Sequence, residues 1–562
     1  MNTIPGRWLW FAFCIADAAL LLLCGWLVPI HLCAVDIAVI QQAGEGSPAV
    51  VDHGLALARD GRLAAAKLFL QAAQSQHLPG LDKLSLAVSL PVAPAPGLNR
   101  IQDLLTNASD VPGATNGYSQ FVTESVIHLE NRDRVLAFLQ AAPSPAVREL
   151  LRCRELTNTV LFPPSSSSSG QAFDAALSVG GLLLEENCLA VSMRKTLLDC
   201  AASANRGGDT EPLEQVLMDL MSLGQRFTWE QLAVFVQRVE DPPALQRLAG
   251  QARNAGAQMP VLFAAVELSQ KPGAVAAYLA NFSQSGLADL GTSLRFGSGG
   301  MDDLVRRNQR ICASPFRGQA AASLPVGFFF RAATNFALRL PWIALTVKWF
   351  LYLSGGYLIA VALRLVRTAP AIAEPLRGRG SEVFRDMLIA LGFLVVVLLL
   401  SEPFLAQVSQ KAEFPLRLRW PGVASVAAIA TPGAKPKLMD KASLLTLLLF
   451  FVLQAILYTV CLAKLAEIRR QKVPTPLRLK LLENEDHLFD AGLYLGFCGT
   501  IVSFILHMME ISNFSLMAGY SSTAFGIIFV SVFKIFHLRP YRHQLLMDGA
   551  PAAAPASHTI AS

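Results

Sequence analysis

Two short runs toward the C-terminal end hold the residues whose types and spacing could line a narrow, weakly polar passage. The first is Gly492-Leu493-Tyr494-Leu495-Gly496-Phe497-Cys498-Gly499-Thr500-Ile501-Val502, with glycines on neighbouring helical positions and a hydroxyl at its centre. In the second, Met517 to Ile528, Ser522 and Gly526 share a helical face and Thr523 lies beside it. Small residues such as Gly496, Gly499, Gly519 and Gly526 let apolar helices approach closely, and hydroxyls hydrogen-bond between them. Two adjacent antiparallel helices would turn Thr500, Ser522 and Thr523 toward one narrow, weakly polar passage. Ordinary packing through Gly and Ser makes the same pattern, so the residues alone leave both readings open. A further group is Asp17, in the middle of an apolar run between Ala16 and Ala18-Ala19. A carboxylate there is costly unless protonated, paired or facing a cavity. It would take up and release a proton, or else pack against Lys348 or small residues.

These residues need membrane helices to position them. Of 562 residues, 53% are hydrophobic and only 16% charged, where a soluble chain would carry about a quarter. The apolar residues gather near the start and after residue 341, in runs of the roughly 20 residues a span requires. The expected spans are Trp8–Ile30, Trp342–Leu363, Met387–Ala406, Leu444–Leu465, Ala491–Glu510 and Leu516–Phe536. Ahead of the second, Phe328-Phe329-Phe330 with Arg331 and Arg339 reads as an amphipathic elbow along the interface. Inside it, Lys348 could snorkel back to that interface. The net charge of +6 is small, and basic residues cluster beside the apolar runs. That is the pattern of topology-setting loops and not of a nucleic-acid surface. Arg364, Arg367, Arg377, Arg379 and Arg385 follow the second span, Arg469, Arg470, Lys472, Arg478 and Lys480 the fourth, and Arg539 and Arg542 the sixth. Arg7 falls on the same side. Both termini are therefore expected in the cytoplasm, with the soluble region and the loop from Gln407 to Ala442 outside. That loop carries Lys411, Arg417, Arg419, Lys435 and Lys437, against the trend.

Residues 36–325 lack the alternation of strands and are rich in Ala, Leu, Gln and Arg at helical spacing, as in Glu130–Gln140, Pro212–Leu223 and Pro243–Ala257. With Ser47 as position 1 of a 34-residue unit, Gly54, Leu57, Gly61, Ala66, Leu70 and Ala73 fall at 8, 11, 15, 20, 24 and 27. Pro79 comes one place late. This looks like a tetratricopeptide repeat, and it predicts an α-solenoid of helical hairpins whose concave face takes a protein or peptide. A helical spacer without a ligand is the alternative. The Pro163-Pro164-Ser165…Ser169-Gly170 stretch is expected to be a flexible loop, and Gly297-Ser298-Gly299-Gly300 a turn. No HExxH, GxSxG, P-loop or GxGxxG occurs, so no enzymatic activity and no cofactor are expected. The nine cysteines form no CxxC pair, and no metal site is expected. Cys14, Cys24, Cys33, Cys461 and Cys498 lie in or beside apolar runs. Cys153, Cys188, Cys200 and Cys312 fall in the soluble region, where they could pair, Cys188–Cys200 most easily, or stay free.

The C-terminal region, about residues 442–545, resembles the MotA/TolQ/ExbB proton-channel family. Gly496-Phe497-Cys498-Gly499-Thr500-Ile501 matches that family's Gly-x-x-Gly-Thr-Val motif. Ser522-Thr523-Ala524-Phe525-Gly526-Ile527 matches its Thr-Thr-Ala-x-Gly-Leu motif, and Tyr541-Arg542 lies near its usual Tyr-Asn pair. The span ending Ala463-Lys464-Leu465-Ala466-Glu467-Ile468-Arg469-Arg470 looks like the family's first helix running into a charged segment. The resemblance implies a homo-oligomeric ring around the helix of a single-span TolR/ExbD-like partner. Thr500 and Thr523 would line the lumen opposite the partner's aspartate. Such partners have a short cytoplasmic start, one Asp-bearing helix and an outer domain, so Asp17 could supply that proton site in cis. The chain departs in its short cytoplasmic segment, in Ser522 where threonine is usual, and in a one-to-one fusion that a ring enclosing fewer partner helices would not need.

The expected whole is all-α: a polytopic membrane protein of about six spans with an extracytoplasmic, tetratricopeptide-like α-solenoid. It divides into an anchor (1–35), the repeat-like region (36–325), an elbow with two spans and an outer loop (326–441), the channel-like region (442–545) and a cytoplasmic tail (546–562). The expected function is an inner-membrane motor subunit coupling proton motive force to envelope transport or maintenance. The rival is a membrane-anchored scaffold that recruits proteins without conducting ions. A small-solute transporter lacks support, since no inverted repeat or broken helix is evident.

Overall fold

The computed structural model describes residues 4–90, 98–105, 121–313, 327–367, 379–404, 441–471, 473–508 and 516–549. Among these the chain is helical except for two three-residue strands, β1 (Ala34–Asp36) and β2 (Arg310–Cys312), which pair with each other. The outer loop from Gln407 and most of the expected tail lie outside the described residues. The chain forms two compact units, residues 35–319 and residues 1–34 with 320–562. The first span thus groups with the C-terminal helices.

In the unit of 35–319, local sequence sets the helix starts. Asp241 caps Ala244 N at 2.6 Å, ahead of Pro242-Pro243 in the first turn, where a missing N–H costs nothing. Thr228 and Gln231 form a capping box. The proposed repeat folds as a hairpin of Val50–Arg59 and Leu63–Ser75, joined by Gly61 at φ +75°. Gly54 meets Leu84 and Phe69 closely, and Ala66 and Ala73 are fully buried. Packing also joins distant segments: Leu63–Ser75 lies on Met259–Leu268, and Ile37–Gly44 on Gly297–Arg307. Such pairings close the unit on itself, which stacking of sequence neighbours alone does not do. Phe69, Phe227, Phe235 and Phe263 form its aromatic centre, with centroids 5.1–6.0 Å apart. Each buried ring stabilises by about 1.5–3 kcal/mol.

Two sequence expectations change here, and one left open is decided. The serine-rich stretch is folded into consecutive turns, because Asp174 accepts from Ser165 and forms two bonds to Arg154 at 2.9 and 3.1 Å. Gly170 ends it where a Cβ would lie 2.2 Å from the Pro164 carbonyl. Gly297 to Gly300 opens the helix Gly297–Arg307 instead of forming a turn. Of the two outcomes the sequence left open for Cys188 and Cys200, the structure shows separate thiols and no closure between them. Burial pushes the Cys153 thiol up to about 12 and Cys188 to about 11.

Among the described residues the other unit holds six apolar helices: α1 (Ile4–Leu27), α2 (Pro341–Arg367), α3 (Arg379–Ser401), α4 (Lys441–Arg470), α5 (Ala491–Met508) and α6 (Leu516–Phe533). Five stretches are long and apolar enough to cross a membrane: Trp8–Leu27, Pro341–Val366, Val383–Ser401, Leu444–Arg470 and Tyr520–Met547. The apolar stretch Ala491–Ile505 of α5 is shorter. The last of the five continues from α6 through a π-helical turn (Lys534–Leu538) into Arg539–Gly549. The aromatic elbow is a separate helix, Gly327–Arg339, with Phe328 and Phe329 exposed.

Candidate functional site

Extensive packing links the helices in the order α1, α2, α3, α4, α6 and α5, and α4 also touches α5. α5 and α6 approach closely, and missing side chains make it possible. A Cβ at Gly496 would lie 2.8 Å from the Ser522 carbonyl, and one at Gly526 would lie 2.6 Å from that of Gly492. At Gly499 it would meet Ser522 Oγ at 2.4 Å. Gly519 lies within α6, outside the residues whose packing is described.

The two threonines meet at this seam. Thr500 Oγ1 and Thr523 Oγ1 are 2.6 Å apart, so one hydroxyl donates to the other, and the Gly496 carbonyl lies within hydrogen-bond reach of both, at 3.1 and 3.3 Å, to accept from the second. Both side chains are half-buried, so the pair sits at the edge of the two-helix contact. Ser522 differs: it is 1% exposed and packed on Gly499. Large apolar side chains stand exposed beside the seam, including Tyr494, Phe497 and Tyr520. A bilayer or neighbouring helices would cover them.

Asp17 is half-buried on α1 and, among the described residues, makes no hydrogen bond or ion pair. Its neighbour Ala18 packs against Gly355 of α2. The row of helices therefore keeps Asp17 apart from the threonine pair within one protomer. Lys348 does not pair with it. Its ammonium reaches back along α2 to the Ile30 carbonyl and is 1% exposed, so it ends in protein and not in headgroup water.

Several buried polar groups carry no sequence motif. Glu402, just past α3, accepts from Leu32 N at 2.7 Å and lies 3.8 Å from His31 Nδ1. Asp386, 1% exposed, pairs with Arg364 and Arg385 at 3.0 and 3.2 Å. Gln454 of α4 donates to the Gly492 carbonyl at 2.9 Å. The one available signal was a polar residue inside an apolar run, which marks an intramembrane site without naming its partner. Where α4 leaves the apolar zone, Cys461, Leu465, Leu482, Phe489, Phe533 and Tyr541 form a small core. Ion pairs surround it: Lys534–Asp490 at 2.7 Å, Lys464–Glu467 at 3.3 Å and Arg542–Glu483 at 3.5 Å.

No group of three or more His, Cys, Asp or Glu among the described residues could hold a metal ion. No family model, curated protein or solved structure matches the chain.

Proposed function

We propose that the chain is a proton-channel-like subunit of the bacterial inner membrane. It couples proton motive force to transport across, or maintenance of, the cell envelope. The observation that carries this reading is the hydroxyl pair Thr500–Thr523 at the glycine seam of α5 and α6. These are the positions that the MotA/TolQ/ExbB resemblance assigns to a proton path. In this reading α5 is a sixth span, both termini are cytoplasmic, and residues 36–325 are periplasmic. The protomers form a ring around a single-span TolR/ExbD-like partner, and a proton crossing 100 mV delivers about 2.3 kcal/mol to that partner. The helical hairpins outside, tetratricopeptide-like at Val50–Ser75, receive a protein or peptide. Asp17, without a partner among the described residues, serves as a proton site toward a neighbouring copy.

One observation favours the scaffold reading instead. The threonine hydroxyls already satisfy each other and the Gly496 carbonyl, as in plain helix packing. Potential-driven proton flux into liposomes, with and without a single-span partner, decides between them. Thr523→Val keeps the side-chain shape and removes the hydroxyl, and the channel reading expects at least a tenfold loss of flux, of the order one catalytic proton-transfer group contributes. Equal flux in both proteins would leave only the scaffold.

A further inference from the structure

Gln454 lies in the middle third of α4 and is 2% exposed. Its Nε2 donates to the Gly492 carbonyl, and reversing the amide would set two oxygens against each other, so this orientation is fixed by chemistry. The other end, Oε1, is buried and has no hydrogen-bond partner among the described residues. It borders a cleft between α4, α5 and α6, lined by Tyr458, Cys461, Gly492 and Phe533, with room for about one water. A dry amide oxygen inside a bilayer is expensive, whereas a water there would satisfy it.

One turn further along α4, on the same face, Tyr458 Oη is 3.0 Å from His537 Nε2. His537 belongs to the π-helical turn Lys534–Leu538. Such turns are rare and recur at functional sites, because the extra residue re-aims the side chains that follow. Here the turn places His537 on Tyr458 and Lys534 on Asp490. The titratable or charged groups about His537 are therefore Tyr458 from α4, the Lys534–Asp490 pair at the start of α5, and Arg539 on its own chain. Polar groups thus recur at intervals of one helical turn, about 5.4 Å. The threonine pair sits on the Gly496 carbonyl, Gln454 on the Gly492 carbonyl, and Tyr458 on His537.

We propose that Gln454, Tyr458 and His537 form the proton's route between the Thr500–Thr523 pair and the arginine-rich end of the bundle. One water sits on Gln454 Oε1, and His537 is the group that holds the proton. This rests on the proton-channel reading. The water, once protonated, gives a proton to the Tyr458 oxygen while the phenol passes its own to His537 Nε2. Water, phenol and imidazolium result, and nothing is oxidised or reduced. The imidazolium then releases a proton to solvent at the Arg539 end and returns to neutral.

The test is potential-driven proton flux through the full-length chain in liposomes, under the conditions in which wild type conducts. Tyr458→Phe and His537→Gln are each expected to lower flux at least tenfold, and Gln454→Leu similarly. Added imidazole should restore flux to His537→Ala, which a purely structural histidine would not allow. If Thr523→Val is impaired while Tyr458→Phe and His537→Gln conduct like wild type, this route is wrong and the channel reading stands. No flux through wild type, with or without a single-span partner, removes both.

Discussion

At Gly496 and Gly526 the atoms a side chain would strike are backbone, the Ser522 and Gly492 carbonyls, which cannot rotate away. Alanine at either position must push α5 and α6 apart. We expect Gly526→Ala to cost about 1–3 kcal/mol, the usual penalty of overpacking, read as earlier thermal unfolding in detergent. Gly250, inside the helix Pro242–Ala255, gives the opposite sign. A Cβ there meets only the end of Arg253 at 3.7 Å, so Gly250→Ala should be neutral or stabilise by about 0.5–1 kcal/mol. A seam that accepts alanine at Gly526 without loss would mean that α5 and α6 do not pack as described. The glycine spacing made this seam legible in sequence. The contact partner of each glycine was not, because Ser522 and Thr523 are adjacent and only the rotation of α6 decides which one faces Gly499.

Between elements, the informative groups are carboxyls that tie distant segments together. Glu230, from Trp229–Gln237, accepts from Ala65 N at 3.0 Å and so caps the start of Leu63–Ser75, while Gln231 donates to the Ala64 carbonyl. Burial pushes Glu230 to about 7, and burial likewise pushes Glu267 to about 7 against the pull of Arg238. A carboxyl raised on folding contributes stability that is complete below its ordinary value of 4.5 and is lost as pH rises through about 7. Amides at 64–66 should therefore exchange hydrogen faster at pH 8 than at pH 5.5, after correction for intrinsic rates, and Glu230→Gln should flatten the difference. Glu214 has the opposite sign. Against the upward pull of burial, the N–H groups of 160–162 and Thr210 hold it below its usual value. Its contribution is present at neutral pH and is lost as pH falls through its depressed value. Glu214→Gln should loosen the 160–162 loop at pH 7, visible as faster exchange there, and should matter less in acid. Neither tie was readable from sequence, since the partners are separated by 165 residues in one case and more than 50 in the other.

For the whole molecule, compartment and assembly are the open physical questions, and both have direct readouts. If residues 36–325 are periplasmic, a cysteine at exposed Ser168 (Ser168→Cys) should react with a membrane-impermeant maleimide in cells whose outer membrane alone is permeabilised. Protection until lysis would reverse the proposed orientation. The proposed ring would cover exposed Tyr494, Phe497 and Tyr520 between protomers. Its mass in nanodiscs should be a multiple of 60.6 kDa. By itself the sequence determined the helical class, the apolar runs and the glycine–hydroxyl motifs, because helix periodicity and the length needed to cross a bilayer are local properties. The tertiary structure alone decided that the first span packs into the C-terminal bundle, that Lys348 ends on Ile30 and not on Asp17, and that a serine-rich stretch is pinned by Asp174. It also decided that Gln454, Tyr458 and His537 fall in register with the threonine pair. These are matters of which helix faces which and at what height, and chain position does not encode them until every helix has buried its own face.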